Sequence, residues 1–103
     1  MAQLHQIAKT NDVPPGEGRA YDVAGRRIAL FNVDGKFYAI DDTCTHQGGP
    51  LSEGFVDGTC VTCPWHGGEF DVCTGKVLAP PAAEDEASYK VVVSGEDVSV
   101  EVE

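Results

Sequence analysis

The chain has 103 residues, 17 of them acidic and 7 basic, for a net charge of −10; the length suits one domain, residues 1–103, with a core small enough that a bound metal would add stability. Negative charge in this excess repels nucleic-acid phosphate and anionic membrane alike; it permits a basic protein partner, and equally serves plain solubility. The opening MAQLHQIAKT has no apolar run fit for a signal peptide, and no stretch suits a membrane helix, so a cytoplasmic setting is expected.

In chain order, Leu4–Lys9 reads as an edge strand, and the Pro- and Gly-rich Asn11–Gly18 as a loop, because such residues sustain neither ladder. Arg19–Val23 and Arg26–Val33 read as strands around Ala24-Gly25, and Lys36–Asp41 as a return strand. The intervening Asp34-Gly35 is able to adopt the positive φ angles of a tight hairpin. Glycine-rich loops then run through residues 42–81. Loops of that length in a compact domain are usually functional. Glu84, Asp85 and Glu86 read as a solvated run. Ser88–Val93 and Asp97–Glu103 read as a second hairpin, the latter alternating apolar and polar residues as a half-buried strand does. With no amphipathic helix and no repeat, the fold class expected is all-β, a small antiparallel sandwich or barrel.

Within the loops the pattern is Cys44-x-His46, sixteen residues, then Cys63-x-x-His66. One Cys and one His on each of two short loops suit either a tetrahedral Cys₂His₂ zinc ion or a Rieske [2Fe–2S] cluster, with two thiolates on one iron and two imidazoles on the other. Zinc modules usually pair Cys with Cys and His with His. Mixed loops converging from two sides place both Cys at one end and both His at the other, which suits two irons in a row. Cys60-Val61-Thr62-Cys63 imitates a zinc knuckle, but Thr59–Thr62 is strand-like and lacks the turn residues a knuckle needs; Cys60 is therefore read as a decoy. Four cysteines in a reducing compartment are expected as ligands or free thiols rather than a disulfide framework.

The stretches CTHQGGPL and CPWHGGEFDVCTGKVLAPP resemble the two cluster-binding loops of Rieske proteins. More narrowly, the chain is similar to the soluble Rieske-type ferredoxins that supply aromatic-ring dioxygenases. The resemblance implies one Rieske-type [2Fe–2S] cluster, with Cys44 and Cys63 on the inner iron and His46 and His66 on the outer one, close to the surface. Gly48, Gly49, Gly67 and Gly68 would let the backbone approach the cluster, with N–H groups aimed at its sulfides. Pro50 and Pro64 would stiffen the loops. Trp65 reads equally as a shield or a contact surface, or simply as a cover for the core. His5 reads as an ordinary surface residue.

Rieske proteins of the respiratory branch carry an extra, disulfide-bonded Cys in each loop; the matching positions here are Gly49 and Trp65. That branch also directs a Ser and a Tyr hydroxyl at the cluster sulfurs, where this chain has Gly68 and Phe70. Hydrogen bonds to sulfur raise the potential, so a value near the bottom of the Rieske range is expected, around −150 mV. Cys60 and Cys73 are expected as buried free thiols on the two arms of a hairpin, able to face each other.

The resemblance implies a diffusible one-electron carrier that transforms no substrate itself. It would be a monomer, taking electrons from an NAD(P)H-dependent flavoprotein reductase and passing them to a terminal Rieske oxygenase. Glu53, Asp57, Glu69 and Asp71 are available to steer a basic partner. The alternatives are a Rieske-like small subunit of a nitrite reductase or another multi-subunit reductase, and a zinc module that binds a protein.

Overall fold

A computed structural model describes residues 3–43, 49–65, 67–79 and 84–102. Local sequence explains the first hairpins. β2 (Gly18–Val23) and β3 (Arg26–Val33) are joined by Ala24 and Gly25, at φ 50° and 81°, and β3 and β4 (Lys36–Asp41) by Asp34 and Gly35, at φ 51° and 90°. Two consecutive left-handed residues make the turn whose twist matches that of the strands it joins. The buried Asn32 secures the second turn, accepting from the Gly35 N–H at 2.8 Å and donating to the Val13 carbonyl at 2.8 Å.

Seven further strands complete the description: β1 (Gln3–Lys9), β5 (Phe55–Asp57), β6 (Cys60–Thr62), β7 (Glu69–Asp71), β8 (Val77–Ala79), β10 (Val91–Ser94) and β11 (Asp97–Val102), together with the two-residue β9 (Ser88–Tyr89). They form three antiparallel sheets, ordered β1-β11-β10, β2-β3-β4-β9 and β5-β6-β7-β8. The all-β expectation holds, and β1 is the edge strand foreseen. Among the described residues there is no α-helix, only 3-10 turns at Thr10–Asp12 and Leu51–Glu53, and no helix is long and apolar enough to cross a membrane.

The second sheet is the middle layer. Along β3, Ile28 and Leu30 enter one core with Val98, Val100 and Val102 of β11, while Ala29 and Phe31 enter another with Leu51, Val61, Cys63, Phe70 and Val72. Successive strand residues point to opposite faces, so a strand buried on both sides is continuously apolar, as Ile28–Phe31 is. β11 buries alternate residues only, as its sequence pattern requires.

Three expectations are corrected. Ser88–Val93 is not one strand. Tyr89 pairs with Ala39 of β4 and Val91 with Val100 of β11, so the chain changes sheets at Lys90. A strand that switches sheets is how small sandwiches turn a corner. Residues 42–81 are not only loops, since Phe55–Ala79 builds the third sheet. Its three-residue strands are too short to show a periodicity. Glu86 is not solvated but buried, its N–H donating to the Gly75 carbonyl at 2.7 Å. Its neighbour Asp85 is exposed and accepts the Val77 N–H at 2.8 Å.

Candidate functional site

The first Cys/His loop leaves the middle sheet at the end of β4. Cys44, Thr45, His46, Gln47 and Gly48 lie outside the described residues, as does His66. The two ends of the loop are described, and they are tied together. Thr43 bridges Pro50, the Leu51 N–H donates to the Asp42 carbonyl at 2.7 Å, and the Ser52 N–H donates to Asp42 Oδ1 at 2.7 Å. Asp42 also accepts from Arg27 Nε at 3.2 Å.

The second loop caps the β6–β7 hairpin. Thr62 pairs with Glu69, the Cys63 N–H donates to the Gly68 carbonyl at 2.7 Å, and the Gly67 N–H donates to the Cys63 carbonyl at 3.1 Å. Cys63 is buried in the core that contains Leu51 and Phe70. The two loops meet at Gly49, the exit of the first. A Cβ built there would stand 2.8 Å from Cys63 Sγ and 3.0 Å from Trp65 Cγ. Only a glycine lets the first loop pass this close to the Cys63 sulfur. Trp65 is 57% exposed, so its indole packs over the loop exit on one side and faces solvent on the other.

On the face of the third sheet opposite Val61 and Phe70, Phe55, Thr62 and Glu69 form one cross-strand row and Asp57, Cys60 and Asp71 the next. Phe55 is 84% exposed. Among the described residues, no Lys or Arg is ion-paired with Glu53, Asp57, Glu69 or Asp71.

Cys60, Cys63 and Cys73 are all free. Cys60 stands opposite Asp71 rather than Cys73, so these two thiols do not face each other, and each is half-buried rather than buried. Cys60 Sγ donates to Glu69 Oε1 at 3.2 Å. Burial, followed by the Glu69 hydrogen bond and nearby carboxylates, pushes this thiol up to about 11. A thiol kept protonated is a poor ligand, which agrees with its reading as a decoy. Burial also raises the Cys73 thiol, against a lowering contribution from the Tyr38 hydroxyl. The sequence reading missed Asp42, Arg27 and Ser52. Asp42 was legible only as the end of a strand, and nothing local marks it as a clasp.

The model of the family described as the Rieske [2Fe-2S] domain matches residues 3–94. The chain is a Rieske [2Fe–2S] protein. The buried Cys63 thiol, with a glycine from the other loop against its sulfur, fits a thiolate-held cluster shared between the loops. The Rieske chain is 45% identical over 97 residues to the biphenyl dioxygenase ferredoxin subunit of Pseudomonas sp. strain KKS102, covering 93% of this chain and 89% of the relative. It is 41% identical over 93 residues to the ferredoxin component of the naphthalene 1,2-dioxygenase/salicylate 5-hydroxylase systems of Ralstonia sp., covering 90% and 89%. Among solved structures, the complex of reduced oxygenase and oxidized ferredoxin in carbazole 1,9a-dioxygenase matches with a TM-score of 0.88 and 37% identity, over 94% of this chain and 91% of the matched one.

Proposed function

We propose that this Rieske protein is a one-electron carrier for a ring-hydroxylating dioxygenase system, with Cys44, His46, Cys63 and His66 as its cluster ligands. The whole length, residues 1–103, would act as one domain whose cluster-binding region spans about 42–81. The observation that carries the reading is the near end-to-end relationship to ferredoxin components of such systems, joined to a loop exit that presses a glycine against a buried Cys63 sulfur.

The bound cluster supplies reversible uptake of one electron. Every other part of the task falls to the chain. Cys63 holds its sulfur where water is excluded, and the bonds from the Cys63 N–H to the Gly68 carbonyl and from the Gly67 N–H to the Cys63 carbonyl close the base of the second loop, which lessens the reorganisation needed when charge arrives. Trp65 and Phe55 offer apolar contact beside the loops. Glu53, Asp57, Glu69 and Asp71 supply a negative surface that steers a basic docking face.

The partners proposed are an NAD(P)H-dependent flavoprotein reductase and a terminal oxygenase, met in turn by a cytoplasmic monomer. A solved ferredoxin–oxygenase complex among the matches supports the second. With Gly at 68 and Phe at 70, the sulfurs lack two hydroxyl donors, and the potential should fall around −150 mV. The test is EPR of the reduced protein followed through a potentiometric titration. A Rieske spectrum with a midpoint below zero is expected; no iron signal would overturn the ligand set, and a positive midpoint would overturn the low-potential carrier.

A further inference from the structure

Asp42 is 1% exposed, and all of its polar groups are engaged. Its N–H donates to the Arg27 carbonyl at 3.0 Å, its carbonyl accepts the Leu51 N–H at 2.7 Å, Oδ1 accepts the Ser52 N–H at 2.7 Å, and Oδ2 accepts Arg27 Nε at 3.2 Å. One residue thus joins the entry limb of the first loop to its exit limb, and both to β3. The exit limb continues into the buried core, because Leu51 is fully buried beside Cys63.

Burying an ionised carboxylate is unfavourable unless its charge is paired and its lone pairs are filled. The Thr43–Pro50 bridge and the Leu51 N–H would already close the loop. The carboxylate adds two side-chain bonds that tie the described entry limb at Asp42 to the exit limb at Ser52 and to Arg27 of β3. Groups that orient metal ligands from behind are commonly held in this way.

We propose that Asp42 is a positioning residue for the iron centre: its buried carboxylate clamps both limbs of the first loop, and so presents Cys44 and His46 to the same cluster as Cys63. The inference rests on the ligand assignment proposed above. Arg27, whose side chain is 56% exposed, is the outer brace of the clamp.

The experiment uses the cluster-loaded full chain as the unaltered protein and as Asp42→Asn, Asp42→Ala and Val100→Ala, the last weakening the other core as a control for loss of fold stability. Iron release to a chelator, the EPR spectrum of the reduced state and the midpoint potential are measured for each. Asp42→Ala should release iron about 10- to 100-fold faster, the usual effect of losing such a support, with a heterogeneous spectrum. Asp42→Asn keeps an amide oxygen for the Ser52 N–H but turns an amide NH₂ toward the Arg27 Nε donor, so it should release iron at a rate between those of the unaltered protein and Asp42→Ala. The proposal is overturned if Asp42→Ala matches the unaltered protein in all three measurements, or if Val100→Ala releases iron just as fast. If Asp42→Ala does not fold, Asp42→Asn decides, and iron release and a spectrum identical to those of the unaltered protein overturn the clamp. A missing Rieske spectrum in the unaltered protein would overturn the ligand assignment itself, an outcome distinct from a normal spectrum that ignores Asp42.

Discussion

Gly49 lies against the indole of Trp65, close enough that a Cβ on Gly49 would be 3.0 Å from Trp65 Cγ. These are the two positions matched above to the disulfide-bonded cysteines of the respiratory branch, and their adjacency makes physical sense of that match. Where one branch ties its loops covalently, this chain fills the same gap with an aromatic ring. A ring packed on glycine holds the loops by contact and leaves its outer edge free for a partner.

Substituting Gly49→Ala should therefore injure the centre. The added methyl would meet Cys63 Sγ at 2.8 Å and the indole at about the same range. Overpacking of this kind costs about 1–3 kcal/mol. Thermal unfolding and iron per chain should both fall, and iron content should fall even under conditions where the chain remains folded. A variant that unfolds and loads iron like the unaltered protein would show that the loops part more easily than this geometry implies.

Introducing Gly68→Ser tests the match of the second loop. Gly68 is buried and its carbonyl already receives the Cys63 N–H. A hydroxyl there should donate to a cluster sulfur and move the midpoint upward from around −150 mV, since such bonds favour the reduced state. Potentiometric titration reads the shift, and an unmoved midpoint would mean that the hydroxyl does not reach sulfur.

The spare thiols should be chemically quiet. With Cys60 pushed up to about 11, only about one molecule in a thousand carries its thiolate at pH 8, and thiolate is the reactive form. Alkylation of native protein by iodoacetamide, followed by mass spectrometry, should be slow at Cys60 at pH 8 and rise about tenfold per pH unit toward pH 11. The folded value lies above the ordinary 9.0, so the contribution of Cys60 to stability is whole below pH 9 and is lost as pH climbs through about 11. Replacing Cys60 and Cys73 together with Ser should leave iron content unchanged. Loss of the cluster in that double variant would reverse the ligand assignment.

Electron transfer to a basic partner should slow as salt is added. Asp57 on the outward face of the third sheet is ion-paired with no Lys or Arg among the described residues, and neither is Glu69 or Asp71. Exposed charges are screened beyond about 10 Å at 0.1 M salt. Stopped-flow rates should drop with ionic strength, and a triple Asp57→Asn, Glu69→Gln, Asp71→Asn variant should be both slower and less salt-sensitive, with its midpoint little changed. A flat salt response in the unaltered protein would remove steering from the account.

Features that depend on neighbours along the chain could be read from the residues alone. The hairpin at Asp34-Gly35 was legible because left-handed turns select such residues, that at Ala24-Gly25 because strand-like runs flank it, and β11 because one of its faces is dry. The family was legible because the paired Cys/His stretches carry its motif, and a motif built for metal ligation constrains residue type and spacing far more tightly than packing does. The rest follows from contacts between distant parts of the chain. No local pattern announces that the chain leaves one sheet for another at Lys90, because both halves of the segment look like strand. The strands of the third sheet are shorter than any period they could display. Glu86 reads as solvent-facing until the turn at Gly75 covers it. The Asp42 clasp and the Gly49–Trp65 contact join residues ten and sixteen positions apart, held by burial and hydrogen bonds that exist only once the middle sheet has brought both loops to the same edge of the core.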